Sequence, residues 1–115
     1  QAHKDVLANI KPGAVWTDVH LLADRSIFSM LHQLNVLNES SSMEEMLENR
    51  VCAVFMPHGL GHLLGIDTHD VGGYGLRNSR DRILKPGLKS CRTAKALEEN
   101  NVMTIEPGAT SSTRS

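Results

Sequence analysis

Large rings are scarce here, with one Trp, one Tyr and two Phe among 115 residues. A core must therefore be assembled mainly from Leu, Ile, Val, Met and Ala, and it has little burial in reserve. Only two cysteines occur, Cys52 and Cys91, far apart and in no Cys-x-x-Cys pair. That spacing suggests neither a zinc knuckle nor a redox dithiol and leaves two buried or idle thiols as the expectation. No charge of one sign prevails: 12 Lys plus Arg stand against 13 Asp plus Glu, a formal net charge of -1. Without a broad basic field, neither nucleic acid nor a membrane surface is expected as a partner. No run approaches the roughly 20 apolar residues of a membrane span. The opening Gln1-Ala2-His3-Lys4-Asp5 also lacks the apolar core of a secretory signal, so the cytosol is the expected compartment.

What remains is ordinary for a globular domain, at 40% hydrophobic and 22% charged residues. The length suits one domain with one core, since domains most often run to roughly 100–150 residues. Val6, Leu7 and Ile10 recur at helical spacing before Lys11-Pro12-Gly13 stops them, which predicts a helix within residues 1–10. Thr17 stands where an N-cap would, and Val19, Leu22, Ala23, Ile27, Met30, Leu31 and Leu34 then recur at threes and fours, predicting an amphipathic helix over 18–34. Ser42 with Glu45 fits a capping box opening a short acidic helix to about residue 49. His3, His20 and His32 fall on these helices and read as surface or packing histidines.

From Val51 the texture changes. Val51 to Met56 is a short apolar run, and Pro57-His58-Gly59-Leu60-Gly61-His62-Leu63-Leu64-Gly65-Ile66-Asp67-Thr68-His69-Asp70-Val71-Gly72-Gly73 follows. His58 and His62 have the spacing of paired ligands on a helix, but Gly59 stands where a zinc protease would carry Glu. Glycines at 59 and 61 disfavour a regular helix there. They also let backbone approach a metal or a substrate closely. Residues 77–82 form a charged loop leading to a second turn, Lys85-Pro86-Gly87. Val102 to Glu106 alternates, with Val102, Thr104 and Glu106 on one side and Met103 and Ile105 on the other, which predicts a strand with a polar, functional side. Histidines together with a carboxylate suit borderline divalent ions such as manganese, cobalt or zinc. A histidine-rich structural loop, with Glu106 as a strand-edge carboxylate in a salt bridge, is the plain alternative.

Residues 55–74, with Leu88-Lys89-Ser90-Cys91-Arg92-Thr93-Ala94 and Thr104-Ile105-Glu106-Pro107-Gly108, closely resemble the prolidase branch of the pita-bread metallopeptidases. Lys11-Pro12-Gly13 and the stretch from Trp16 to Arg25 carry the same likeness. The resemblance implies an α+β fold, part of a curved, mostly antiparallel sheet backed by helices, and an activity toward dipeptides ending in proline. It implies two divalent metal ions, manganese first among them, with His62 binding one metal and Glu106 as the first of two glutamate ligands. It further implies that His58 and His69 act in catalysis, contacting substrate and stabilising the reacting carbonyl, and that Arg92 receives the dipeptide's terminal carboxylate. A homodimeric parent is compatible with it.

The same resemblance requires two aspartates and a second glutamate that cannot be placed in these 115 residues. Residues 1–108 therefore read as a partial metallopeptidase domain, expected to be inactive by itself. Residues 109–115 read as a divergent tail without period or apolar content and are expected to be disordered. Glu99-Asn100-Asn101 replaces the family's Pro-Gly turn, a mild change because Asn tolerates left-handed backbone. A pita-bread module that has lost catalysis and serves only to bind is the alternative class; the survival of His58, His62, His69 and Glu106 disfavours it.

Overall fold

Three helices form where the apolar spacing and the Ser42 capping box predict them. A computed structural model of the chain describes residues 1–34, 42–74 and 81–109. Helix α1 spans Ala2–Asn9 and buries Ala2 and Val6. Helix α2 spans Trp16–Gln33 and buries Trp16, Val19, Ala23, Ile27 and Phe28 along one stripe. Helix α3 spans Met43–Glu48, and the Ser42 hydroxyl accepts a hydrogen bond from the Glu45 backbone N–H at 3.2 Å. That cap satisfies one of the four unpaired N–H groups with which any helix begins.

The start of α2 differs from expectation. Thr17 lies inside the helix, its side chain buried, and the N-cap is Val15, which makes no side-chain cap. Backbone pairing fixes the entry instead: Val15 bridges Ala96 antiparallel, Trp16 N donates to Lys95 O at 3.0 Å, and Leu97 N donates to Ala14 O at 2.8 Å. A chain held this way from outside needs no capping hydroxyl. The apolar run after Arg50 is a 3-10 turn, Val51–Val54, entered through Arg50 in left-handed backbone at φ 56°. Cys52 and Met56 point inward from it and Val54 outward.

Two apolar clusters flank α2. One gathers Val6, Trp16, Val19, Ala23, Leu60 and Leu97, with Met103 and Ile105 packed against it. The other gathers Ala2, Ile27, Phe28, Cys52 and Met56. Trp16 and Phe28 are both at 0% exposure, so two of the four large rings are buried, one in each cluster. Both cysteines are free and buried, and burial pushes the Cys52 thiol up, away from the reactive thiolate.

The extended part is slight. Leu64 N donates to Val102 O, Thr104 N to His62 O and Glu106 N to Leu60 O, at 3.0, 2.9 and 2.7 Å. These steps of two set 60–64 against 102–106 antiparallel. Among the described residues, however, only isolated bridges form, Leu63 with Met103 and Val15 with Ala96, and no full strand. The expected curved sheet is represented among the described residues by these pairings alone. The alternation from Val102 to Glu106 does hold: Met103 and Ile105 face the core, while Val102 and Glu106 are exposed. The turn before it passes through Asn100 at φ 68°. The charged loop expected at 77–82 lies outside the described residues except for Asp81 and Arg82, and so does the tail beyond Ala109.

Between the two clusters sits a buried polar group. His20 and Asp24, one turn apart on α2, are both at 0% exposure. His20 Nε2 approaches Asp24 Oδ2 at 3.5 Å, and Arg50 Nη1 approaches the same oxygen at 2.6 Å. Arg50 also donates from Nε to Pro86 O at 3.0 Å. Burial alone would raise the Asp24 pKa, yet His20 and Arg50 outweigh it and hold the carboxyl below its ordinary 3.8. On the surface, Arg25 and Glu44 join α2 to α3 at 2.7 Å, an exposed pair worth little.

Changing Asp24 to Asn strands the buried Arg50 charge and should cost about 3–5 kcal/mol. A group whose folded pKa is depressed stabilises fully above its unfolded value and loses that contribution as pH falls through the folded one. Thermal melts of the wild-type protein should therefore drop below about pH 4, and the drop should be smaller in Asp24→Asn. Parallel pH profiles would show that the Asp24 charge contributes nothing.

Candidate functional site

The pairing of 60–64 with 102–106 does more than join two segments, because it sets His62 beside Glu106. Its closeness depends on Gly61. A Cβ there would stand 1.9 Å from Thr104 O and 3.0 Å from Trp16 Cζ2. Gly73 is confined the same way, since a Cβ would meet Arg92 O at 2.0 Å. Thr93 strengthens that contact by donating from its hydroxyl to Gly73 O at 3.0 Å. The two glycines thus let the histidine segment lie against both the Glu106 segment and the Arg92 segment.

His62 is 7% exposed. Its Nδ1 lies 3.0 Å from Leu63 O, a carbonyl that can only accept, so Nδ1 carries the proton. The lone pair is left on Nε2, 3.5 Å from Glu106 Oε2. Two acceptors facing each other at that distance suit a shared divalent cation. The Thr104 hydroxyl ties the pair together, accepting from His62 N at 3.0 Å and donating to Glu106 Oε2 at 3.2 Å. The His69 ring meets the His62 ring edge-on, with centroids 4.4 Å apart. Desolvation first, and then the neighbouring Arg92 and His62 side chains, lower the His69 pKa, against the pull of Glu106. His58 is exposed and donates from Nδ1 to Gly59 O at 2.8 Å.

These side chains share one open cleft of roughly 530 Å³, lined by Pro57, His58, His62, His69, Ser90, Arg92 and Glu106 among others. All five residues singled out in the sequence border it. Ser90 and the coupling hydroxyl of Thr104 were not singled out, although both lie inside the quoted motifs. Among the described residues, no group of three or more His, Cys, Asp or Glu side chains is placed to hold a metal ion. His62 and Glu106 fit one edge of a divalent site in chemistry and direction, and do not complete it.

Residues 1–114 match metallopeptidase family M24. The Xaa-Pro dipeptidase of Rattus norvegicus is 50% identical over 105 residues, which is 91% of this chain and 20% of that protein. The Xaa-Pro dipeptidase of Homo sapiens is 47% identical over 108 residues, 94% of this chain and 21% of that protein. Among solved structures, the aminopeptidase PepP of Pseudomonas aeruginosa superposes with a TM-score of 0.72 at 29% identity, covering 94% of this chain and 21% of that one. The chain belongs to metallopeptidase family M24. It spans about a fifth of the length of the curated relatives it matches.

Gly61→Ala should force 60–64 and 102–106 apart at a cost of about 1–3 kcal/mol, as overpacking does. Amide hydrogen exchange at Thr104 and Glu106, whose N–H groups bond His62 O and Leu60 O, should accelerate together. Unchanged protection at both amides would contradict the close approach.

Proposed function

We propose that these residues form one wall of the active site of an Xaa-Pro dipeptidase, a metal-dependent hydrolase of dipeptides ending in proline. The observation that carries this reading is the convergence of His62 Nε2 and Glu106 Oε2 at 3.5 Å in a cleft that His58, His69 and Arg92 also border. The likeness to Xaa-Pro dipeptidases at 47–50% identity supports the substrate class.

His62 and Glu106 would hold part of a pair of divalent ions, with manganese assigned first and the two aspartates and second glutamate supplied from outside these 115 residues. When bound, such ions lower the pKa of a shared water and clamp the charge that develops on the substrate. The chain's own residues do the rest. His69, and His58 once its Nδ1–H leaves Gly59 O, would offer N–H donors to the carbonyl oxygen as it gains negative charge, an interaction that strengthens on the way to the transition state. The lowered pKa of His69 keeps that ring neutral at pH 7 and able to donate from one nitrogen. Arg92 presents the planar fork that holds a carboxylate through two parallel hydrogen bonds, which selects substrates with a free C-terminus. A curved pita-bread sheet, a cytosolic location and a homodimeric parent belong to the same reading.

In the full-length protein, Arg92→Ala should lower kcat/KM for Gly-Pro on the order of tenfold or more while leaving the C-terminal amide of Gly-Pro little changed. Equal losses on both substrates would remove Arg92 as the carboxylate receptor. The 115 residues by themselves, with excess manganese, should release no proline from Gly-Pro, because two ligands cannot enclose two ions. Measurable turnover, or a melt raised several degrees by manganese, would count against the incomplete ligand set.

A further inference from the structure

We propose that His20 is a positioning residue for the cleft, its Nδ1 holding from behind both the segment that carries His58 and His62 and the segment that carries Arg92. The proposal rests on the reading of the cleft given above. His20 lies on α2, outside the cleft lining, and is fully buried. Leu60 lies midway between His58 and His62, and its backbone N–H donates to His20 Nδ1 at 3.1 Å. The carbonyl of the same residue accepts from Glu106 N at 2.7 Å. The Leu60 residue is therefore pinned on both sides, by the helix through its N–H and by the Glu106 segment through its C=O. Cys91 Sγ, next to Arg92, stands 3.5 Å from the same Nδ1. One ring nitrogen thus meets both walls.

The state of the ring follows from what faces it. Burial disfavours a charged ring, while the neighbouring Asp24 and Cys91 favour one. A second proton would have to sit on Nδ1, where the Leu60 N–H already points. Two donors cannot share that contact, and Leu60 is buried at 0% exposure with no other acceptor for its N–H among the described hydrogen bonds. The donor facing Nδ1 decides for the neutral ring, with its proton on Nε2 toward Asp24. Arg50 at 2.6 Å neutralises that carboxylate, and its Nε bond to Pro86 O ties the network to the loop leading to Arg92. Without an acceptor at Nδ1 the Leu60 N–H is buried and unpaired, and its segment must shift to recover a bond.

Two substitutions separate positioning from packing. His20→Asn keeps a carbonyl oxygen near the Nδ1 position, whereas His20→Gln reaches toward Asp24 and leaves Leu60 without an acceptor. In both, Arg50 still neutralises Asp24. In the full-length protein, the Leu60 amide should stay protected from exchange in His20→Asn and exchange at least 100-fold faster in His20→Gln. kcat/KM for Gly-Pro should fall at least tenfold further in His20→Gln than in His20→Asn. Nitrogen NMR of 15N-histidine-labelled wild-type protein at neutral pH should find His20 protonated on Nε2 alone. A proton on Nδ1, or equal Leu60 exchange and equal kinetics in the two variants, overturns the proposal. If either variant fails to fold, the wild-type tautomer decides alone. If the wild-type protein releases no proline, the dipeptidase reading fails, and the tautomer and exchange results still judge the role of His20.

Discussion

Asp24 and Arg50, buried together with His20, form the constraint on which the rest of the arrangement depends. Taking a carboxylate and a guanidinium out of water costs several kcal/mol per ion, and their attraction only roughly offsets it. Such a pair is weak evidence for stability and better evidence for register. Asp24 sits on α2, Arg50 between α3 and the 3-10 turn that follows, and Pro86, bonded to Arg50 Nε, in the loop before Arg92. An apolar substitute could fill this volume but would not dictate which loop meets which helix. With Asp24 fixed, the His20 ring is turned so that its other nitrogen faces Leu60 and Cys91.

From there the geometry passes to the cleft through backbone. Leu60 O meets Glu106 N and His62 O meets Thr104 N, so one short antiparallel pairing carries both the register and the convergence of His62 with Glu106. Gly61 is what permits it, since any side chain would strike the Thr104 carbonyl. The Thr104 hydroxyl then couples the two side chains through His62 N and Glu106 Oε2. A cleft half made of irregular backbone is given definite geometry by glycine contact and by one hydroxyl, with little regular secondary structure involved.

Much of this was legible from residue pattern alone. The periodicity of α2, the Ser42 cap, the inward Met103 and Ile105 and the left-handed Asn100 follow from local rules that tertiary structure did not override. Where tertiary pairing did override, the reading slipped: Thr17 is no cap because Val15 and Trp16 are held by residues 95–96. The sheet expected from family likeness is represented among the described residues by two isolated bridges alone. His20 and Asp24 were hardest to see. Each lies one position beyond an apolar residue of the α2 stripe, Val19 and Ala23, so they could pass for the edge of its polar face. The i, i+4 spacing of a histidine and an aspartate was a signal, but nothing local announces that Arg50 will meet them.

The cleft residues fall into two kinds that the structure supports differently. His62 is nearly buried, tied by Leu63 O and Thr104, and bonded into the extended pair, so its Nε2 has little freedom. Arg92 and His58 are exposed at the rim, and Glu106, also exposed, is tied only through its bond from the Thr104 hydroxyl. Tight support suits a ligand whose lone pair must meet an ion within a few tenths of an ångström. Looser side chains suit groups that meet a substrate arriving in solution, since catalytic hydrogen bonds are often long until the complex forms. The division follows from burial: His62, nearest the core, is held by backbone partners and by Thr104, while Arg92 and His58 stand at the exposed rim.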